Sequence, residues 1–231
     1  MKQLHDGKKS RLAGWLYLIV VVTGFFSLAY VPGQIFVSGD AHATAANIAT
    51  REALFRWGIA GFVVEQIAFL LLALELFRVF RGTSRSASAM MSALIIASVP
   101  FALVCCMHLL EAMSWATDGE SQRAFSSAQS DALVVLAIRA FHDGLTLVGV
   151  FWGLWLLPFA WLASKSRQLP RILALLLAAG GIGYLVDSSC TLLWPGYGSS
   201  VISDCVLLPA ALGEVGSCLW LLLFGVRRQI D

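Results

Sequence analysis

The chain has 231 residues, of which 58% are hydrophobic and 13% charged, with a formal net charge of +2 and a mean hydropathy of +0.79. That balance takes it out of the soluble class and leaves a membrane protein.

About 20 mainly apolar residues cross roughly 30 Å of hydrocarbon. Segments at about 12–31, 54–77, 88–115, 134–163, 171–194 and 204–226 meet that requirement. No connection is long enough to fold alone, so residues 1–231 read as a single all-α domain, a polytopic bundle of six transmembrane helices. Lys8-Lys9-Ser10-Arg11 before the first apolar run, and Ser27-Leu28-Ala29 near its end, imitate a secretory signal. The run is long for a signal core, and a retained first helix is expected. Pro32-Gly33 closes it, and the connection to about Ala53 is the longest in the chain. Within it, Gly39 to Ile48 predicts a short surface helix capped by Asp40, placed to cover the outer face.

The second span carries Arg56, Glu65 and Glu75, with Gly58, Gly61 and Glu65 on one small-plus-acidic stripe. After the turn Arg81-Gly82-Thr83-Ser84, the third holds Pro100 and then His108 and Glu111 at i, i+3, on a face continued by Val104 and Trp115. The fourth opens RAFHDGL: Arg139 and Asp143 are spaced to pair at i, i+4. His142 shares a stripe with Thr146, Gly149 and Gly153, a small-residue face that lets a neighbour approach and turns His142 inward. Pro158 is expected to kink this helix, and Pro209 the sixth. The fifth carries Asp187 near its end, before Trp194-Pro195-Gly196, and the sixth carries Glu214. Trp15, Trp57, Trp115, Trp161 and Trp194 lie near helix ends, where amphipathic rings favour the headgroup level, while Trp152, Trp155 and Trp220 read as packing.

If six helices alternate, Lys2, Lys8, Lys9, Arg11, Arg78, Arg81, Arg85, Lys165, Arg167, Arg171, Arg227 and Arg228 share one side, against Arg51, Arg56, Arg123 and Arg139 on the other. The positive-inside rule then predicts cytoplasmic N- and C-termini in a plasma membrane. Acidic residues lean outward: Asp40, Glu52, Asp118, Glu120, Asp131 and Asp204. The basic rim reads as topology and contact with membrane lipid, with no nucleic acid as partner. Cys105, Cys106 and Cys218 read as small buried apolar residues, whereas Cys190 and Cys205 flank the last outer loop and are the pair a disulfide would join. Six helices permit an inverted repeat, but the two halves share no convincing similarity.

An ionisable residue inside a span costs about 2.5–3.5 kcal/mol on insertion scales and by default faces the bundle interior. Arg56, Glu65, Glu111, Arg139, Asp143, Asp187 and Glu214 therefore predict a polar pocket in the outer half, formed by helices two to six, that binds a small ligand or ion. Four chemistries are open to it. A divalent metal would take His108, His142 and one or two of Glu111, Asp143 and Asp187. Haem would sit between His108 and His142. Asp187, Glu65 and Glu214 would serve a proton or cation pathway. The fourth is a structural network joining Arg139 to Asp143 or Asp187 and Arg56 to an acid. No His-Glu-x-x-His, glycine-rich phosphate loop, serine elbow or Cys-x-x-Cys is present to choose among them. His5 and His42 read as solvated. The expected protein is a ligand-binding membrane protein, with a metal- or haem-dependent enzyme and a proton-coupled transporter as alternatives.

Several phrases stand together in order: Gly39-Asp40-Ala41-x-Ala43-Thr44-Ala45-Ala46-Asn47-Ile48, Leu54-Phe55-Arg56-x-Gly58, Phe151-x-Gly153-Leu154, Leu169-Pro170-Arg171-Ile172-Leu173, Gly183-Tyr184-Leu185-x-Asp187-Ser188, and Gly213-Glu214 followed by Leu219-Trp220-Leu221-Leu222. In these the chain resembles the bacterial multi-pass family known as domain of unknown function 4386, over nearly its whole length. The resemblance implies six membrane helices and no particular reaction. It also implies that Arg56, Asp187 and Glu214 belong to the family pattern; these phrases do not place His108, Glu111 or the Arg139-His142-Asp143 group in it.

Overall fold

The computed structural model describes residues 2–119 and 125–225, with the backbone alone for residues 2–10 and Ser199. Glu120, Arg123, Arg227 and Arg228, and the side chains of Lys2, His5, Lys8 and Lys9, lie outside the described residues. α1 (Lys2–Phe25) runs on through a π-helical turn, Phe26–Tyr30, into Val31–Ile35. The helices that follow are α2 (Ala41–Thr50), α3 (Glu52–Phe80), α4 (Arg85–Thr117), α5 (Ser127–Ser166), α6 (Arg171–Leu193) and α7 (Val201–Leu223). Six helices are long and apolar enough to span: Arg11–Ile35 and α3 to α7. The chain is an all-α multi-pass membrane protein among its described residues, with Phe101, Val104, Leu175 and Leu193 among its exposed apolar side chains, as suits helices in contact with lipid.

Two helices are longer than expected. α5 has 40 residues, about 60 Å at about 1.5 Å per residue. The 20 charge-free residues from Gly144 to Ala163 suffice to cross the hydrocarbon, so Ser127–Asp143 extends beyond it. α4 likewise has no charge between Arg85 and His108, and its last turns from His108 extend past the apolar stretch. Arg139, His142, Asp143, His108 and Glu111 thus lie at or beyond the membrane edge, where water meets the cost that lipid would impose.

Packing divides the chain into two compact units. Unit one is Met1–Ile19, Ile67–Val99 and Thr146–Asp231. Its α6 and α7 form a hairpin packed backbone to backbone: a Cβ on Gly180 would overlap Ala210, one on Gly183 would overlap the Val206 carbonyl, and one on Gly213 would lie 3.0 Å from Leu177 N. Gly149 and Gly153, expected as a small-residue face, receive α6, with hypothetical Cβ atoms 2.8 Å from Ser188 Oγ and 2.7 Å from Gly181 O. Trp155 is the aromatic centre, stacked on Phe159 at 5.4 Å and edge-on to Phe69 at 5.6 Å. Pro158 and Pro209 interrupt neither α5 nor α7.

Unit two is Val20–Gln66 and Pro100–Leu145. There α1 meets α3 through glycines: positions 58 and 61 face Val31 and Ser27, and Gly24 faces Glu65. Gly39, at φ 77, turns the chain into α2, whose first turn is capped as expected by Asp40, accepting from Ala43 N at 2.8 Å. Asn47 Nδ2 donates to Ile35 O at 3.0 Å and Val37 N to Thr44 Oγ1 at 3.0 Å, so α2 is fastened to the end of α1 as a lid.

Candidate ligand site

The extension of α5 keeps helical periodicity: Val134, Ala137, Ile138 and Phe141 are buried, while Leu136, Arg139, His142 and Asp143 are exposed. Arg139 and Asp143 do not pair, and Arg139 has no hydrogen bond or ion pair to any described residue. An exposed i, i+4 pair is worth only about 0.3–0.5 kcal/mol, too little to immobilise two flexible side chains. His142 is exposed and not turned into the bundle; Nδ1 donates to Ile138 O at 2.9 Å, and the ring lies edge-on to Phe36 and Phe141.

On α4, His108 Nδ1 and Glu111 Oε2 meet at 2.8 Å, but the side chains are 36% and 53% exposed. Val104 on the same stripe is exposed too, because Cys105, Leu109 and Ala112 occupy the packed face. Arg56 pairs at 2.6 Å with Glu52, one turn earlier on an open flank, and not with a buried acid. Among the described residues, no group of three or more His, Cys, Asp or Glu side chains is placed to hold a metal ion. His108 and His142 each engage a neighbour on their own helix. Glu65 is buried at the middle of α3 against Gly24, and beside it Gln66 is fully buried with neither amide atom hydrogen-bonded to a described residue.

A cavity of about 410 Å³ opens in unit two between the lid and α5. Phe36, Val37, Val135 and Ile138 give it apolar walls, and Asp40 and Arg139 are the charged groups that line it. His42 Nδ1 meets Asp131 Oδ2 at 2.9 Å, tying the start of α2 to the extension of α5. Of the residues expected to form a pocket, Arg139 lines this cavity and the rest of unit two's set does not. His42→Ala is expected to loosen the lid at little cost in stability, because the imidazole is mostly exposed and such pairs are worth about 0–1 kcal/mol. Amide exchange across residues 41–50 should quicken; unchanged exchange would show that this bond does not hold the lid.

Asp187 and Glu214 belong to unit one, and each has a partner on another helix. Asp187 Oδ1 accepts from Ser203 Oγ at 2.5 Å, joining α6 to α7. Cys190 and Cys205 are both free thiols, so this hydrogen bond makes the cross-link expected of a disulfide. The nearby Tyr197 hydroxyl is buried without a partner among the described residues; burial, reinforced by the Asp187 carboxylate, raises its phenol above the ordinary value. Glu214 Oε2 accepts from the hydroxyl of the fully buried Tyr17 at 3.2 Å.

Sequence reasoning missed Tyr17, Ser203, Gln66 and the cavity wall at Phe36 and Val37. Tyr17 had a signal, as the one hydroxyl in the apolar run LAGWLYLIVVV. Phe36 and Val37 had another, as bulky apolar residues directly before the turn Ser38-Gly39-Asp40. Neither a curated protein nor a solved structure matches the chain. Residues 12–225, nearly the whole sequence, match the domain of unknown function (DUF4386), and the chain belongs to that family.

Proposed function

We propose that the protein is a small-ligand-binding protein of the plasma membrane whose site is the lidded cavity of unit two, on the outer face. One observation carries this reading: a cavity of about 410 Å³ with apolar walls and few charged groups, within the roughly 300–1,000 Å³ of small-molecule sites. The outer placement rests on the bias of lysine and arginine toward the opposite helix ends. The lid favours binding over a bare surface groove, because α2 is held at both ends by side-chain hydrogen bonds.

The test uses the protein in nanodiscs of a zwitterionic phosphatidylcholine and the neutral probe N-phenyl-1-naphthylamine, with signal from protein-free discs subtracted. Saturable fluorescence enhancement is expected, and Val135→Trp, which fills the cavity from α5, should remove it. Binding that survives Val135→Trp, or no saturable binding at all, would sink the reading.

A further inference from the structure

We infer that the ligand of this cavity is a single-chain amphiphile with an anionic head, a carboxylate or phosphate monoester, whose head pairs with Arg139 while its chain lies against Phe36, Val37, Val135 and Ile138. The inference rests on the reading of the cavity as the ligand site. Charge complementarity carries it. Two charged side chains line the cavity, and they are not equivalent. Asp40 is already engaged: Oδ1 accepts the Ala43 amide at the N-terminus of α2, where the helix dipole offsets negative charge. Arg139 has no hydrogen bond or ion pair to any described residue, although Asp143 stands one turn away on the same helix. The uncompensated charge in the cavity is therefore a guanidinium, whose planar fork matches carboxylate and phosphate oxygens two at a time.

The walls set the other half of the ligand. Four apolar side chains from two elements line the space, which exceeds what a free carboxylate or inorganic phosphate would fill, yet is too small for two acyl chains. The position suits such a molecule. Arg139 stands five residues before Gly144, where the charge-free run of α5 begins, so the cation lies near the membrane edge, the depth at which an amphiphile carries its head group.

The experiment is competition against N-phenyl-1-naphthylamine in the same nanodiscs. Dodecanoate is expected to displace the probe at a concentration at least about tenfold lower than dodecanol, which has the same chain and no charge. Acetate and inorganic phosphate, heads without a chain, should displace nothing at millimolar concentration. Arg139→Gln, a neutral amide at an exposed position, should bring the dodecanoate-to-dodecanol ratio, each measured against that variant's own probe affinity, to about one. Equal displacement by the two amphiphiles in the unaltered protein, displacement by acetate or phosphate alone, or an unchanged ratio in Arg139→Gln would overturn the inference and leave the cavity as a site for neutral ligands. Loss of probe binding to the unaltered protein would instead sink the proposed function itself.

Discussion

Gly180→Leu is expected to separate α6 from α7 and to cost at least about 3 kcal/mol of stability, the range reserved for changes that a packed interior cannot absorb. Gly180 and Gly183 lie one turn apart on α6, and Gly213 and Gly216 one turn apart on α7. What a side chain at Gly180 would strike is the Cα and amide nitrogen of Ala210, and at Gly183 the Val206 carbonyl oxygen. Backbone of a membrane helix has nowhere to go, because its hydrogen bonds have no water to replace them. Lipid supplies no hydrophobic drive to push the two helices together, so close packing is what holds this hairpin, and a leucine removes it. Gly33→Leu is the control, since nothing lies within contact distance of a Cβ there. Unfolding in mixed micelles should shift strongly for Gly180→Leu and hardly for Gly33→Leu. Coincident unfolding curves for the two variants would mean that the hairpin is held by something other than this contact.

The six spans, the Asp40 cap and the Gly149-Gly153 face were legible in the sequence because each depends on local pattern: run length, a capping side chain, a four-residue spacing. Which way a membrane helix faces is less legible. In water, burial and polarity sort the two sides of a helix; in lipid both sides are apolar, and α4 has Val104 and Met107 outside with Cys105 and Leu109 inside. The sides differ too little to locate His108 and Glu111, and the rule that charges turn inward failed for them because α4 and α5 outrun the bilayer. Helix ends were misplaced for the same reason. The expected start of the fourth span lay inside a helix that begins at Ser127 and passes through its charged residues without a break. Arg139 was expected in a pocket and does line the cavity of unit two, but the cavity itself was not legible. Its walls come from a non-helical segment at Phe36 and Val37 and a helix about 100 residues further on, with no local spacing to join them.

Tyr17 and Glu214 are 197 positions apart and joined by one hydrogen bond, and their substitution should show strong asymmetry between single and double variants. Tyr17→Phe leaves the carboxyl of Glu214 in the bilayer without its donor, and Glu214→Leu leaves a fully buried phenol without its acceptor. Each single change is expected to cost about 1–3 kcal/mol, mostly as the penalty on the abandoned partner. Removing both leaves no orphan, so the double variant should cost less than the sum, with a coupling of about 0.6–1.7 kcal/mol as for interhelical bonds in membranes. Additivity within about 0.5 kcal/mol would mean that the bond contributes nothing. The cycle also bears on function, because a carboxyl needed to carry protons or cations is not replaceable by leucine, whereas a carboxyl that only ties α7 to α1 is. Retained fold and retained naphthylamine binding in Tyr17→Phe/Glu214→Leu would assign the pair to architecture and leave the proposed ligand binding to the lidded cavity of unit two.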